Sequence, residues 1–174
     1  TEPAPEATDL ILRIGSLPDS SVHARVPGMQ HHYLVAAPDY LQRCGTPEEP
    51  EDLRHHSTLV YSGSNGPNRW LFRLAEGEWV HYPQTPRLAS NNADALLTAA
   101  LGGMGVVLFP DWMVNEAMGA GRLVQLMPHY SAAIGSSPSP MSAIYPHARH
   151  PSLNVRAVID YFIDAFGTPL YWQR

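Results

Sequence analysis

Ser90-Asn91-Asn92-Ala93-Asp94-Ala95-Leu96-Leu97-Thr98-Ala99-Ala100-Leu101-Gly102-Gly103-Met104-Gly105-Val106-Val107-Leu108-Phe109-Pro110 is the stretch whose reading decides the fold. Ala93, Leu96, Leu97, Ala100 and Leu101 recur at the spacing of one apolar helix face. Ser90, Asn91 and Asn92 are all N-cap types, and Asp94 puts negative charge in the first turn, where the helix dipole favours it. Gly102 and Gly103 can take the left-handed conformation that ends a helix. Val106 to Phe109 is an unbroken apolar run, the mark of a strand covered on both faces. A helix that hands over to such a strand predicts an α/β protein with a mostly parallel sheet and helices packed on it.

Upstream, residues 10–14 and 32–36 read as strands, with Pro27-Gly28 as a turn between them. Pro38 opens a short helix over 39–44 that Gly45 stops. Residues 46–51 read as a Pro/Glu connector, 59–61 as a strand and 62–68 as a flexible loop. Trp70, Phe72 and Leu74 alternate, as do Glu78, Val80 and Tyr82 across Glu76-Gly77, which predicts an antiparallel hairpin. Downstream, Asp111 can cap a helix from Trp112 to Met118, residues 123–127 read as a strand, 131–140 as a Ser/Pro-rich loop and 143–145 as a last strand. Val155, Val158, Ile159, Phe162, Ile163 and Phe166 form the apolar stripe of a final helix ended by Gly167.

Composition narrows the function. The chain has 174 residues, 44% of them hydrophobic and 16% charged, which suits one domain or two small lobes with a real core. Its net charge of −5 leaves no electrostatic footprint for nucleic acid. The single cysteine, Cys44, cannot form an internal disulfide and fits a reducing cytoplasm. No apolar run has the length of a membrane span.

Chemistry is sparse. The nine histidines include the adjacent pairs His31-His32 and His55-His56, whose side chains point to opposite faces of a strand, and His147 with His150 between prolines. Without Cys-x-x-Cys or His-Glu-x-x-His no metal framework is expected. There is no Gly-x-Ser-x-Gly elbow, no dinucleotide fingerprint and no phosphate-binding loop, so no catalytic residue and no cofactor is assigned. Cys44 ends a helix, whereas activated thiols favour helix starts. Trp70, Trp79, Trp112 and Trp172 are expected in the core or packed on a lobe face. The start of the central helix remains: its free N–H groups and positive dipole end suit a carboxylate or phosphate, although Ser90, Asn91 and Asn92 serve equally well as plain caps and turn formers.

In order along the chain, Asp9-Leu10-Ile11-Leu12-Arg13-Ile14-Gly15, Leu34-Val35-Ala36-Ala37-Pro38-Asp39-Tyr40-Leu41 and Asp52-Leu53-Arg54-His55-His56 precede the central helix. Gly103 to Pro110, Gly121-Arg122-Leu123-Val124 and Val155 to Phe162 follow. This succession resembles the C-terminal effector-binding region of LysR-type transcriptional regulators. The resemblance implies an α/β, two-lobed, periplasmic-binding-protein-like fold of the type 2 class, with mixed, mostly parallel sheets flanked by helices. Residues 1–8 would be a disordered lead-in. Residues 9–36 and 143–167 would be the remnant of an incomplete first lobe, 37–142 the second lobe and 168–174 a tail.

The resemblance also tips the helix start towards binding. It implies a small-molecule effector held between the lobes by Asn91 and Asn92, with Ile14, Gly15 and Ser16 facing them and Phe109 and Pro110 beside them. It implies a cytoplasmic regulator, a homodimer or tetramer in full length, that meets promoter DNA only through a separate N-terminal domain. A free-standing solute-binding protein of the same fold is the alternative, and a remnant too incomplete to hold a ligand is a third.

Overall fold

The computed structural model describes residues 10–14, 23–29, 31–63, 66–135, 140–145, 152–167 and 170. The chain divides into two compact units, His31–Ser137 and the paired segments Thr1–Gln30 and Pro138–Arg174. The boundaries of these units fall at 30/31 and 137/138, and residues 32–36 pair wholly within the first-named unit.

In the His31–Ser137 unit, strand β3 (His32–Ala36) leads to helix α1 (Pro38–Cys44), a 3-10 turn (Pro50–His55), β4 (Leu59–Gly63), β5 (Gly66–Pro67), β6 (Trp70–Leu74), β7 (Val80–Tyr82) and β8 (Leu88–Ser90). Helix α2 (Ala93–Leu101), β9 (Val107–Pro110), α3 (Asp111–Gly119), β10 (Val124–Gln125) and β11 (Tyr130–Ile134) complete it. The other unit holds β1 (Ile11–Ile14), β2 (His23–Met29), β12 (Pro140–Tyr145) and helix α4 (Leu153–Phe166).

The sheets are mixed. Parallel pairing sits where the decisive stretch lies: β8 runs parallel to β4, and α2 carries the chain to Val106, which bridges Thr58 in parallel. Leu59 N–H donates to the Val106 carbonyl (2.9 Å) and Val106 N–H to the Ser57 carbonyl (2.8 Å). A β-carbon on Gly105 would collide with that Ser57 carbonyl, so only glycine fits at the entry to β9. Every other described ladder is antiparallel, including β9 on β3 and the order β10-β3-β11-β6-β7. Parallel pairs are therefore fewer than the sequence predicts, because hairpins and reversals rather than helices link most strands.

The predicted two-sided burial of the strand holds. Val106 and Leu108 face a core with Leu34, Tyr40, Val60, Trp70 and Phe72. Val107 and Phe109 face the opposite one, with Leu96 and Ala100 of α2 and Val114 and Ala117 of α3. At the end of α2, Gly103 takes φ 69° and its carbonyl accepts a 2.7 Å hydrogen bond from Arg43 Nη2. Tyr40 Oη accepts from Ser57 N–H (2.9 Å) and lies 3.0 Å from His56 Nδ1, which ties α1 to the 3-10 turn.

Several sequence expectations are corrected. Residues 131–134 of the predicted Ser/Pro loop belong, with Tyr130, to β11 between β3 and β6, since pairing on both edges outweighs the weak strand preference of its Ser and Ala residues. Gly66–Pro67, within a predicted loop, pairs with the end of β4, and the predicted connector leads into the 3-10 turn. Pro27 and Gly28 lie inside β2, where the ladder with β12 shifts register between Met141 and Ala143; an irregularity of this kind accommodates a proline that has no N–H to give. In α4, Val155 and Ile159 are buried with Ile163 and Leu10 against them, but Val158 is exposed. Trp70 is buried, Trp79 lies under the Arg73 guanidinium (4.9 Å from its ring centroid) and Trp112 is 44% exposed; Trp172 lies outside the described residues.

Candidate functional site at the start of α2

Chain direction sets this site. β8 and β4 run parallel with Ser90 opposite Tyr61, so both strands end on one side of the sheet and α2 begins there. Asn92 is the N-cap: its extended backbone (φ −107°, ψ 104°) turns the chain, and its Oδ1 accepts from Ala95 N–H at 3.1 Å. Ser90 Oγ accepts from Asn92 N–H at 3.1 Å, which sets the approach to the helix. Leu96 N–H bonds to the Asn92 carbonyl at 3.3 Å. The N–H groups of Ala93 and Asp94 find no acceptor among the described residues, as the first turn of a helix predicts.

Asn91 and Asn92 are both exposed, but their side chains differ in use. Asn92 is spent on the cap, whereas Asn91 hydrogen-bonds nothing among the described residues. Phe109 is buried in the cluster that holds Leu96, with Ala93, Leu97, Tyr33 and Tyr61 packed against it. Pro110 is also buried; it stands opposite His32 on β3 and precedes Asp111, so it marks the start of α3 rather than of α2. Ile14 ends β1, opposite Met141, in the other unit. Gly15 and Ser16 lie outside the described residues.

Two features escape sequence reasoning. Tyr61 and Tyr33 are half-buried aromatics beside Ser90 and Phe109 in register; parallel pairing of residues 59–61 with 88–90 is the signal that could have found Tyr61. The second is His32, 6% exposed, with neither ring nitrogen hydrogen-bonded among the described residues. Burial pushes its pKa down to about 4; the Asp111 carboxylate opposes that shift and His31 adds to it. Asp111 itself is fully buried, takes a 2.8 Å bond from its N–H to the His31 carbonyl and accepts one from Trp112 N–H at 2.9 Å. No group of three or more His, Cys, Asp or Glu side chains is placed to hold a metal among the described residues. No described helix is long and apolar enough to cross a membrane.

A family model described as the LysR substrate binding domain matches residues 6–167. The chain is 33% identical over 154 residues to the HTH-type transcriptional regulator YhjC of Escherichia coli strain K12, covering 88% of this chain and 50% of that protein. It superposes on the regulatory domain of AphB from Vibrio vulnificus with a TM-score of 0.79 at 30% identity, covering 95% of this chain and 79% of that one. The regulatory domain of CrgA from Neisseria meningitidis gives a TM-score of 0.77 at 26% identity, with 93% and 77% covered. The fold is thus the periplasmic-binding-protein-like α/β fold of regulatory domains. The chain belongs to the LysR substrate-binding-domain family. It spans about half the length of the curated relatives it matches, which are transcriptional regulators.

Proposed function

We propose that the chain is the effector-sensing part of a LysR-type transcriptional regulator and binds a small metabolite at the start of α2. The observation that carries the reading is an exposed helix start where, among the described residues, two N–H groups have no acceptor and the Asn91 amide no partner. Such a start donates hydrogen bonds to a ligand's acceptor atoms and favours partial negative charge there. Asp94 is exposed in the same turn, so the favoured ligand presents one acceptor group rather than several negative charges. Phe109 and Tyr61 supply an apolar flank, and the family resemblance adds Ile14, Gly15 and Ser16 to the site. Pro110 contributes through its rigid turn into α3.

A response follows only if the ligand binds one arrangement of the chain better than another. Promoter DNA is contacted by a separate N-terminal domain, in keeping with the net charge of −5 here, and the full-length protein assembles as a dimer or tetramer. A free-standing solute-binding protein is the weaker reading, because the curated relatives are transcriptional regulators.

The experiment is a calorimetric and thermal-melt screen of the 174-residue chain against small carboxylates, aromatic acids and amino acids. Binding that Asn91→Ala weakens, with the melting temperature of the free protein unchanged, supports the site. A ligand whose affinity ignores Asn91→Ala, or a cooperative melt that no compound moves, removes it.

A further inference from the structure

A concavity with no lining residue from α2 lies in the same unit, on the face of the β11-β6-β7 hairpin region. Strand side chains alternate, so Phe72 and Leu74 share one face of β6. The registers Phe72↔Val80, Trp70↔Tyr82 and Leu74↔Tyr130 put Val80, Tyr82 and Tyr130 on that same face. Over Trp70 and Phe72 the face is closed by Tyr40 and Leu53 as part of a buried core. Towards β7, the last strand in its sheet, the cover runs out: Leu74 is 56% and Val80 59% exposed. The result is an aromatic-floored cavity of about 220 Å³, walled by Pro50 and Glu51 on one side and Gly77 and Glu78 on the other.

Its charge has one sign. Two carboxylates line the cavity, and no Lys, Arg or His does. The Tyr82 hydroxyl reports the field: desolvation raises its pKa first, Glu51 raises it further, and Glu49 and Asp52 add to the effect against Arg54 alone. An aromatic face attracts a cation through its quadrupole, and flanking carboxylates reinforce that preference while repelling anions. A neutral apolar guest would gain nothing from Glu51 and Glu78. The volume falls below the roughly 300 Å³ at which drug-sized pockets begin, so the guest is small.

We propose that this cavity is a binding site for a small organic cation, an ammonium group on an apolar body, received by Tyr82, Tyr130, Glu51 and Glu78. It uses neither Asn91 nor the start of α2, so it stands or fails independently of the effector reading.

The test titrates the nitrogen-15-labelled chain with choline and with its neutral isostere, in which a tert-butyl group replaces the trimethylammonium. Choline is expected to shift the amide signals of β6, β7 and Tyr130 saturably, and the isostere to bind at least about threefold more weakly. The double variant Glu51→Gln, Glu78→Gln is expected to narrow that difference while leaving isostere binding unchanged; both side chains are exposed, so folding is spared. Tyr82→Leu should weaken choline more than the isostere. Equal affinities for the two compounds, or shifts that do not saturate or map elsewhere, overturn the proposal. So does self-association in sedimentation that Val80→Glu abolishes and choline leaves untouched, which would make a second copy the occupant.

Discussion

Helices α2 and α3 each begin at the end of a strand in the same unit, yet their first turns are opposites. At α2 the turn is exposed, capped by Asn92, and leaves the Ala93 and Asp94 N–H groups to whatever arrives. At α3 the turn is sealed: Pro110 precedes it, Asp111 is fully buried, and the carboxylate is the anion that a helix start favours, built into the chain. His32 stands against Pro110 and completes the closure with an apolar-buried ring. One start carries its own negative charge at its first residue; the other keeps its charge one residue further on and its polar edge open. The position in the fold therefore does not make a helix start a site. What separates the two is whether the first residues are buried or exposed.

The largest effect should come from breaking the sealed start. Asp111→Ala removes a buried acceptor and leaves donors unpaired, and urea denaturation should show a loss of about 2–4 kcal/mol. Acid should attack the same place through His32. Its folded-state pKa of about 4 lies below the ordinary 6.5, so the unfolded chain takes up the proton first as pH falls. That contribution is fully present above pH 6.5 and is lost as pH drops towards 4, about 3 kcal/mol in all. Urea midpoints at several pH values should fall over this window in the wild type and fall less in His32→Leu. At the open start, Asn92→Ala deletes the cap and should cost about 1 kcal/mol, read in the same denaturation. Asn91→Ala should change stability by less than about 0.5 kcal/mol, yet alone weaken effector binding in calorimetry. An Asn91→Ala variant that destabilised as much as Asn92→Ala would erase the distinction between the two amides.

How much of this was legible depended on whether the signal was local. The helix-to-strand hand-over at residues 93–109 could be read because period and caps agree over consecutive residues. The hairpin of β6 and β7 was readable from alternation. β11 was not, because Tyr130-Ser131-Ala132-Ala133 carries little strand preference and is made a strand by neighbours distant in sequence. Pro27-Gly28 has turn chemistry but sits beside a register shift, which no single strand announces. Of the expected site residues, Asn91 and Asn92 were singled out from cap chemistry, and the structure shows Asn92 as the cap. His32 could not be found: a histidine beside a second histidine looks like surface, and only pairing with β9 and β11 buries it.

The bond from Arg43 to the Gly103 carbonyl gives α2 a mechanical character. Its far end is tied to α1 by a guanidinium, the partner that a helix's negative end prefers, while its near end is capped by Asn92 and seated on the core through Ala93 and Leu96. α2 is thus fastened twice, along its length by the buried Leu96 and Ala100 and at its C-terminal end by the Arg43 bond, which couples α1 and α2 as one piece of the His31–Ser137 unit.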